Sequence, residues 1–404
     1  MALRLLKFDT INPELYIQNK IKSNKEALDK MGRAEVLDWI ISTRGNFSDF
    51  YTYNLKAAGW EAEEFFINHY YIEKVADELY GRGKKLRYIK EKLKNKLRPV
   101  KNRWTLEVII DYVRSYKPDV ILVREKINIR SDFWKNFGKD SLLVARLAAQ
   151  MPRLWTPADW DLILTSTEAY KTFFELNGVM SYINHNGFDK RLLNELKEDG
   201  KKYDVTFVGG LGSRFWEMRT KCAAYIADKV DFKWWGYYGD NNGEDDPLVK
   251  SWQGLTSGLE MIQIYKQSKI VFNDYGEVAD NMGVNQRMFE VLGAGSFLLT
   301  RYADNLEKEF PGSLFITFTD EKDCLDKINY YLKNEKEREE IAAAGQKYLL
   351  ENFSYDKLMK ELDVVLKESY KKKFPKSAKV LNNIAALSAV EAIQSGSEII
   401  KFIL

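Results

Sequence analysis

The chain has 404 residues, of which 62 are basic and 59 are acidic, so its net charge is +3. Hydrophobic residues make up 45% and charged residues 30% of the sequence, which is typical of a folded globular protein and excludes a disordered chain. The nearly balanced charge gives no reason to expect nucleic acid as a partner. The length is sufficient for two domains.

Few residues are available for metal binding or disulfides. The only cysteines are Cys222 and Cys324, and the only histidines are His69 and His185. We therefore expect buried free thiols, no zinc site and no other metal, with the acidic run "DNNGEDD" (240–246) interpreted as a solvated loop. The first residues contain no signal-peptide pattern, and no stretch reaches the roughly 20 apolar residues of a membrane span. A cytoplasmic protein is predicted.

The first half alternates between apolar strands and helices. The predicted strands are 3–8, 62–67, 120–123 and "DLILTST" (161–167). The predicted helices are 48–58, the basic stretch 71–100, 105–116, "SLLVARLAAQMP" (141–152) and 167–178. The basic segment within 71–100 is expected to be solvated. Short apolar strands that alternate with helices indicate a parallel sheet covered by helices on both faces.

The alternation pauses in the polar segment 183–204 and then restarts. The predicted strands of the second half lie in "VTFVGG", "FKWWGYYG", "KIVFND", "SFLLT" and "LFITF". We predict an α/β protein with two doubly wound Rossmann-like domains, 1–186 and 187–366, and a ligand cleft between them. A C-terminal helical tail, 367–404, is expected to pack on the body, to form an oligomer contact or to lie on a membrane surface.

The segment "FVGGLGS" predicts an anion-binding turn. Gly209, Gly210 and Gly212 follow a strand, and a helix begins near Ser213. Backbone amides and the positive end of the helix would face a phosphate there, and Arg214 and Arg219 could clamp its oxygens. A helix cap at Ser213 is the structural alternative. The glycine spacing does not fit a dinucleotide fingerprint, because Phe215 replaces the third glycine.

A second polar cluster opens the helix in "NMGVNQRMFEVLGAGSFLLT" (281–300). Asn285, Gln286, Arg287 and Glu290 form one face, whereas Met288, Val291 and Leu292 form the apolar face. Glu290 could accept hydrogen bonds from a ribose diol. Arg287 could neutralise a departing diphosphate.

Polar residues that follow strands or begin a helix in the first half are candidates for the acceptor side. Asp49 at the start of the first predicted helix could orient an acceptor hydroxyl, although a helix cap explains Ser48 and Asp49 equally well. Arg124 and Glu125 follow the carboxyl end of a strand, where ligands bind in such sheets, and an ordinary loop ion pair is the alternative.

The second half resembles the C-terminal half of CgeB-like GT-B glycosyltransferases, which are relatives of the retaining family four. The resemblance spans about 285–362, and the earlier segments "FVGGLGS", "NHNGFD" (184–189) and "GNFSDFYTYNLKAAGWEAE" (45–63) are similar to other parts of the family pattern. The matching positions are Arg287, Phe289, Glu290, Gly295, Asp320, Leu325, Arg338, Ile341 and Gly345.

The resemblance implies a glycosyltransferase that takes a sugar from a UDP or GDP type donor without a further cofactor. It implies a retaining, metal-independent reaction, with Glu290 on the donor ribose and a glycan, protein or small molecule as acceptor. The sequence departs from the pattern at Met282, where the family has its first glutamate. The alternatives are a non-catalytic binding or coat protein with the same fold and a nucleotide-sugar epimerase.

Overall fold

The structure is a computed structural model that describes residues 2–45, 48–124, 129–147, 152–240, 243–275 and 283–375, with only the backbone of Phe215. The chain forms two compact units. The first comprises Met1–Thr10, Tyr51–Asn184 and the described part of Met359–Leu404, and the second comprises Ile11–Phe50 and His185–Leu358. The units are therefore not consecutive in sequence, since forty residues after the first strand belong to the second unit.

The elements up to residue 184 are, in chain order, β1 (Arg4–Asp9), α1 (Glu14–Ser23), α2 (Lys25–Lys30), α3 (Arg33–Ser42), α4 (Phe50–Ala57), β2 (Glu61–Phe66), α5 (His69–Tyr80), α6 (Lys84–Leu97), α7 (Arg103–Tyr116), β3 (Val120–Val123), α8 (Ser131–Lys135), β4 (Leu142–Leu147), β5 (Leu162–Thr165), α9 (Glu168–Leu176) and β6 (Met180–Ile183). The six strands form a parallel sheet in the order β2-β1-β3-β4-β5-β6.

One predicted element of this unit is wrong. The segment "SLLVARLAAQMP", predicted as a helix, contains the strand β4, whose six residues are all buried. A continuous apolar run has no periodicity that separates a buried helix from a strand with both faces covered. Strand β6 was not predicted, because it lies where the alternation was thought to pause.

The remaining elements are α10 (Arg191–Glu195), β7 (Tyr203–Val208), α11 (Ser213–Ala227), β8 (Phe232–Trp235), α12 (Pro247–Ser251), α13 (Gly258–Lys266), β9 (Ser268–Asn273), α14 (Gln286–Gly293), β10 (Leu298–Arg301), α15 (Leu306–Glu309), β11 (Ile316–Phe318), α16 (Glu321–Lys333), α17 (Glu335–Asn352) and α18 (Tyr355–Lys373). The strands form a second parallel sheet in the order β11-β10-β9-β7-β8. Its core includes both cysteines, which are buried free thiols as the sequence predicts.

The segment Ile11–Phe50 is attached to the second unit through α13 and the residues before it. The Tyr16 hydroxyl donates to Glu260, and the Leu259 amide donates to the Thr43 carbonyl oxygen at 3.1 Å. Gly258 has a φ of +60°, and a Cβ there would lie 2.1 Å from the Thr43 oxygen. The contact therefore requires a glycine at this position.

Helix α18 ends at Lys373, and residues 376–404 lie outside the described residues. The expected packing, oligomer or membrane contact of the C-terminal tail therefore stays a prediction. Among the residues that the structure describes, no helix is both long and apolar enough to cross a membrane.

Candidate functional site

The candidate site lies at the carboxyl edge of the second sheet. Strands β10, β9 and β7 are neighbours, so the residues that follow them meet at one edge. Gly209 follows β7, Asp274 follows β9 and Tyr302 follows β10. Ligands bind beyond this edge in sheets of this kind.

The glycine turn after β7 uses its amides within the protein. The Gly209 and Leu211 amides donate to the carbonyl oxygens of Trp235 and Tyr237, both at 2.9 Å. The Gly212 amide donates to the Thr220 hydroxyl at 2.8 Å. These amides are therefore already satisfied, and a phosphate would have to compete for them.

The glycines leave room for other side chains. A Cβ on Gly209 would lie 2.4 Å from Nη2 of Arg287, and one on Gly210 would lie 2.4 Å from the Trp216 ring. Contacts this short do not occur between real atoms, so a side chain on either glycine would displace the Arg287 guanidinium or the Trp216 ring. The space that side chains on Gly209 and Gly210 would fill is occupied by the Arg287 guanidinium and the Trp216 indole.

The start of α11 carries an acidic cap. The Ser213 amide donates to both carboxylate oxygens of Asp240, at 2.9 and 2.8 Å, and the Ser213 hydroxyl donates to the same group at 2.9 Å. A carboxylate at a helix N-terminus is stabilised by the helix dipole. The Asp240 carboxylate therefore lies at the start of α11, where the sequence predicted a phosphate.

The two arginines of α11 differ in their surroundings. Arg214 is exposed, whereas Arg219 is buried. The Arg219 guanidinium lies over the rings of Trp216 and Phe207, at 4.9 and 5.5 Å, and donates to the Asp274 carbonyl oxygen at 3.1 Å. Of the two, Arg219 is held at the carboxyl edge of the sheet.

Asn285 and Gln286 at the start of α14 are engaged in structural contacts. The Asn285 side chain caps the helix by accepting from the Met288 amide at 3.3 Å, and its Nδ2 donates to Oδ1 of Asn273 at 3.2 Å. The Gln286 side chain donates to the Gly187 carbonyl oxygen at 3.3 Å. Both residues fix the position of the helix that carries Arg287.

Arg287 is held by neutral groups. Its Nη1 donates to Oδ1 of Asn273 at 2.6 Å, and the guanidinium lies 4.7 Å from the centre of the Phe207 ring. Nη2 lies over Gly209. Within the described ranges, no carboxylate forms an ion pair with Arg287. Its charge is therefore not cancelled by direct contact with an anion of the described protein.

Glu290 is partly buried one helical turn after Arg287. Burial raises its pKa to about 7, although the Arg287 charge and a hydrogen bond from Gln286 oppose the rise. The fully buried hydroxyl of Tyr265 lies in the same environment, and its pKa is also raised by burial. The site therefore contains a carboxyl group that titrates near neutral pH beside a guanidinium.

Sequence reasoning missed the residues that support this arrangement. Asn273 positions Asn285 and Arg287, and it is fixed in turn by donating to the Thr300 hydroxyl at 2.9 Å. Asp274 forms a buried ion pair with Arg301 at 2.7 Å. The signal was present in the "ND" that ends the apolar run "KIVFND", at a strand end where ligand contacts are expected.

Asp49 lies in a network of ion pairs. Its carboxylate accepts from Arg44 at 3.0 Å and from Arg191 at 2.9 and 3.1 Å. Arg44 also pairs with Glu195, and Arg191 also pairs with Asp189. Burial lowers the pKa of the Arg191 side chain, but the hydrogen-bonded carboxylates of Asp189 and Asp49 outweigh burial, so the pKa is raised. Because the Asp49 carboxylate is held between two guanidiniums, a structural role is favoured for this residue.

The carboxyl edge of the first sheet carries charges that are paired internally. Lys7, fully buried on β1, contacts the Glu64 carboxylate at 2.6 Å and Asp9 at 3.3 Å. Arg124 pairs with Asp9 at 3.2 Å, whereas Glu125 lies outside the described residues. Burial raises the pKa of Glu64 to about 7, and Lys7 counteracts this rise. Each carboxylate in this cluster has a cation in contact.

The comparisons with known proteins agree with the fold. Residues 191–363 match the family model described as "Glycosyl transferase-like". None of the curated proteins that were compared with the chain matches it in sequence. The matched segment includes β7, α11, β9 and α14 and contains all the candidate donor-site residues, whereas the candidate acceptor-side residue Asp49 lies outside it.

Solved structures resemble the chain over most of its length. Sucrose-phosphate synthase from Thermosynechococcus elongatus is 9% identical with a TM-score of 0.53, covering 92% of this chain and 100% of that one. Anabaena Alr3699/HepE in complex with UDP and glucose is 12% identical with a TM-score of 0.52, covering 91% and 100%. A glycosyltransferase from Rickettsia africae is 9% identical with a TM-score of 0.52, covering 92% and 99%. The predicted fold class is confirmed: the chain has the GT-B fold.

Proposed function

We propose that this protein is a glycosyltransferase that moves a sugar from a nucleotide-diphosphate donor to a glycan, protein or small-molecule acceptor. The observation that carries the proposal is Arg287, a guanidinium held by the Asn273 amide and the Phe207 ring at the carboxyl edge of the sheet. The match of residues 191–363 to a glycosyltransferase-like family supports it.

The proposed role of Arg287 follows from its charge. When the bond between sugar and diphosphate breaks, negative charge grows on the leaving phosphate oxygens. A fixed guanidinium that needs no reorganisation stabilises that charge in the transition state. Arg219, buried beside the same Phe207 ring, adds a second positive charge. We therefore propose a reaction that is metal-independent and, by the family resemblance, retaining.

The remaining donor contacts are assigned by position. Glu290 lies one helical turn beyond Arg287, where its carboxylate would accept hydrogen bonds from the ribose hydroxyls of the donor. Gly209 and Gly210 contribute by leaving space for Arg287 and Trp216. Gly212, Ser213 and Arg214 are expected to contribute less to donor binding. The amides of Gly212 and Ser213 already donate to Thr220 and Asp240, and Arg214 is exposed.

A thermal-shift panel tests the donor site. A ligand that binds only the folded protein stabilises it by about 2.7 kcal/mol when its concentration is about a hundred times the dissociation constant. We expect UDP, the nucleotide of the HepE complex, to raise the melting temperature more than GDP, ADP or CMP does. Arg287→Ala should abolish the shift, whereas Arg214→Ala, a matched change of an exposed arginine, should leave most of it.

The transfer reaction is tested separately with radiolabelled UDP-sugars. Release of UDP together with a labelled acceptor product, lost in Arg287→Ala, supports the transferase. Nucleotide binding without transfer or hydrolysis for any sugar would assign a binding protein instead. Conversion of the donor sugar in the absence of acceptor would assign an epimerase. A UDP shift that is unchanged in Arg287→Ala would remove Arg287 from the site.

A further inference from the structure

Helix α6 is amphipathic, but it packs with its polar face inward. The residues of α6 that are buried or half-buried recur at helical spacing and are all polar: Lys84, Arg87, Glu91 and Asn95. They contact α5 and α7 through ion pairs and hydrogen bonds. Lys84 pairs with Glu73 and Asp77 on α5, and Arg87 pairs with Asp111 on α7.

The apolar residues of α6 form an exposed stripe. Leu86, Ile89, Leu93 and Leu97 are separated by three or four positions, which places them on one face of the helix. All four are exposed, and Leu86 and Leu97 retain 74% and 83% of their accessible surface. An amphipathic helix of a globular protein normally turns such a stripe toward the core. The reversal in α6 leaves an apolar surface without a partner in the described structure.

The stripe lies in the most basic part of the chain. Residues 84–103 contain ten basic residues and one acidic residue, a net charge of +9. Because the whole chain has a net charge of +3, the other 384 residues carry −6. Helix α6 contains six lysines, of which Lys85, Lys90, Lys92 and Lys96 are exposed beside the stripe. The surface is therefore both apolar and strongly cationic.

We propose that α6 is a membrane-contact helix that lies on an anionic lipid bilayer, with Leu86, Ile89, Leu93 and Leu97 inserted below the headgroups. A helix with leucines on one face and lysines flanking them binds such a surface by burying the apolar face and attracting anionic lipid. The long lysine side chains can reach back to the headgroups while their stems cover apolar surface. The proposal concerns the first unit and is independent of the proposed transfer reaction.

The positive charge of the α6 surface favours an anionic bilayer over a second copy of the chain, the C-terminal residues or a nucleic acid. A second copy of the chain would bring another net +9 to the same surface, and the two would repel. The C-terminal residues 376–404 contain two acidic and three basic residues, a net charge of +1, so they offer no compensating charge. A nucleic acid would compensate the charge but would leave the exposed leucines in water. An anionic bilayer satisfies both properties of the surface.

Co-sedimentation of the full chain with lipid vesicles tests the proposal. We expect binding to phosphatidylcholine vesicles with about 30% phosphatidylglycerol and little binding to pure phosphatidylcholine. The triple variant Leu86→Ser, Leu93→Ser, Leu97→Ser should lower the partition coefficient at least about tenfold. Lys90→Gln, Lys92→Gln and Lys96→Gln should each lower it about fivefold. Leu176→Ser, which changes a leucine of α9 that is also 83% exposed, should have no effect.

A fluorescent label distinguishes insertion from loose electrostatic contact. Both native cysteines are buried, so a cysteine introduced by Leu93→Cys can be labelled selectively with the environment-sensitive dye NBD. We expect a blue-shifted and brighter emission with anionic vesicles, and none for the same label at Leu176→Cys. An unshifted emission at position 93 would overturn the proposal.

Three further results would also overturn it. The first is vesicle binding by the triple leucine variant equal to that of the unchanged protein. The second is a dimer in analytical ultracentrifugation that the triple leucine variant converts to a monomer. The third is binding of single-stranded RNA with no detectable vesicle binding. Thermal melts of the leucine variants should match the unchanged protein, because the substituted side chains face solvent.

Discussion

The carboxyl edges of the two sheets both carry buried charges, but the charges are compensated in different ways. In the first unit, Lys7 contacts the carboxylates of Glu64 and Asp9. In the second unit, Arg287 contacts an amide oxygen and an aromatic ring. A cation paired with carboxylates contributes to the folded state, whereas a cation held by neutral groups remains able to attract an anionic ligand. We therefore expect the first cluster to contribute mainly to the stability of the fold and the second to bind the proposed donor.

The strongest test of this contrast removes one cation from each edge. Lys7→Met should lower the free energy of unfolding by about 3–5 kcal/mol, because the buried Glu64 is left without a cation, whereas Asp9 keeps Arg124. Arg287→Met should lower it by only about 1 kcal/mol, because it breaks no direct ion pair, although Glu290 loses a nearby positive charge. Denaturant unfolding measures both.

The double variant Lys7→Met, Glu64→Leu serves as the control and should recover much of the loss. If Arg287→Met were as destabilising as Lys7→Met, the contrast between the two edges would be lost.

The ionisation of Glu290 should change the free energy of unfolding with pH by about 1–3 kcal/mol. Its folded-state pKa of about 7 lies above the ordinary value of 4.5, so the folded protein holds a proton that the unfolded chain releases. Its contribution to the free energy of unfolding is therefore complete below pH 4.5 and is lost as the pH rises through 7. Because glutamine resembles the protonated carboxyl, the unfolding free energies of the unchanged protein and Glu290→Gln should be similar near pH 4, and the unchanged protein should become the less stable of the two as the pH rises to 8.

Glu64 and Glu309 have similarly raised pKa values and are present in both proteins, so the difference isolates Glu290. A difference that is constant with pH would contradict the assignment.

Gly209→Ala should weaken UDP binding more than it weakens the fold. The new Cβ would lie 2.4 Å from Nη2 of Arg287 and 2.7 Å from the Phe207 ring, so the guanidinium must move. We expect about a tenfold loss of affinity, equivalent to about 1.4 kcal/mol, measured by calorimetric titration. Gly312→Ala is the matched control, since nothing lies within 4 Å of its added carbon. Equal UDP affinities of the two variants would show that UDP binding does not depend on the position of Arg287 over the turn.

The smallest effect is expected for Asp49→Asn. Arg44 keeps Glu195 and Arg191 keeps Asp189, so the free energy of unfolding should fall by only about 0.5–1 kcal/mol. The transfer rate should stay within about twofold of the unchanged protein, which enzyme assays measure. A large loss of rate with full stability would return Asp49 to the acceptor side of the site.

Much of the fold could be predicted because strands such as Val120–Val123 and the strand before Gly209 are apolar runs bounded by turn residues. The strand β4 could not, because a run buried on both faces shows neither helical nor strand periodicity. The orientation of α6 was equally inaccessible, since the amphipathic pattern does not say which face is buried. In the site, the sequence pointed to Arg287 and Glu290, but only packing shows that the Gly209 and Gly212 amides are already used.

The fact that Ile11–Phe50 belongs to the second unit has a consequence for the folding of the chain during its synthesis. These forty residues leave the ribosome early, but their partners begin at His185 and are translated well over a hundred residues later. At roughly 5–20 residues per second, α1 to α3 must wait several seconds with apolar side chains such as Val36 and Ile40 uncovered. The nascent chain therefore passes through a stage in which chaperone capture competes with native docking.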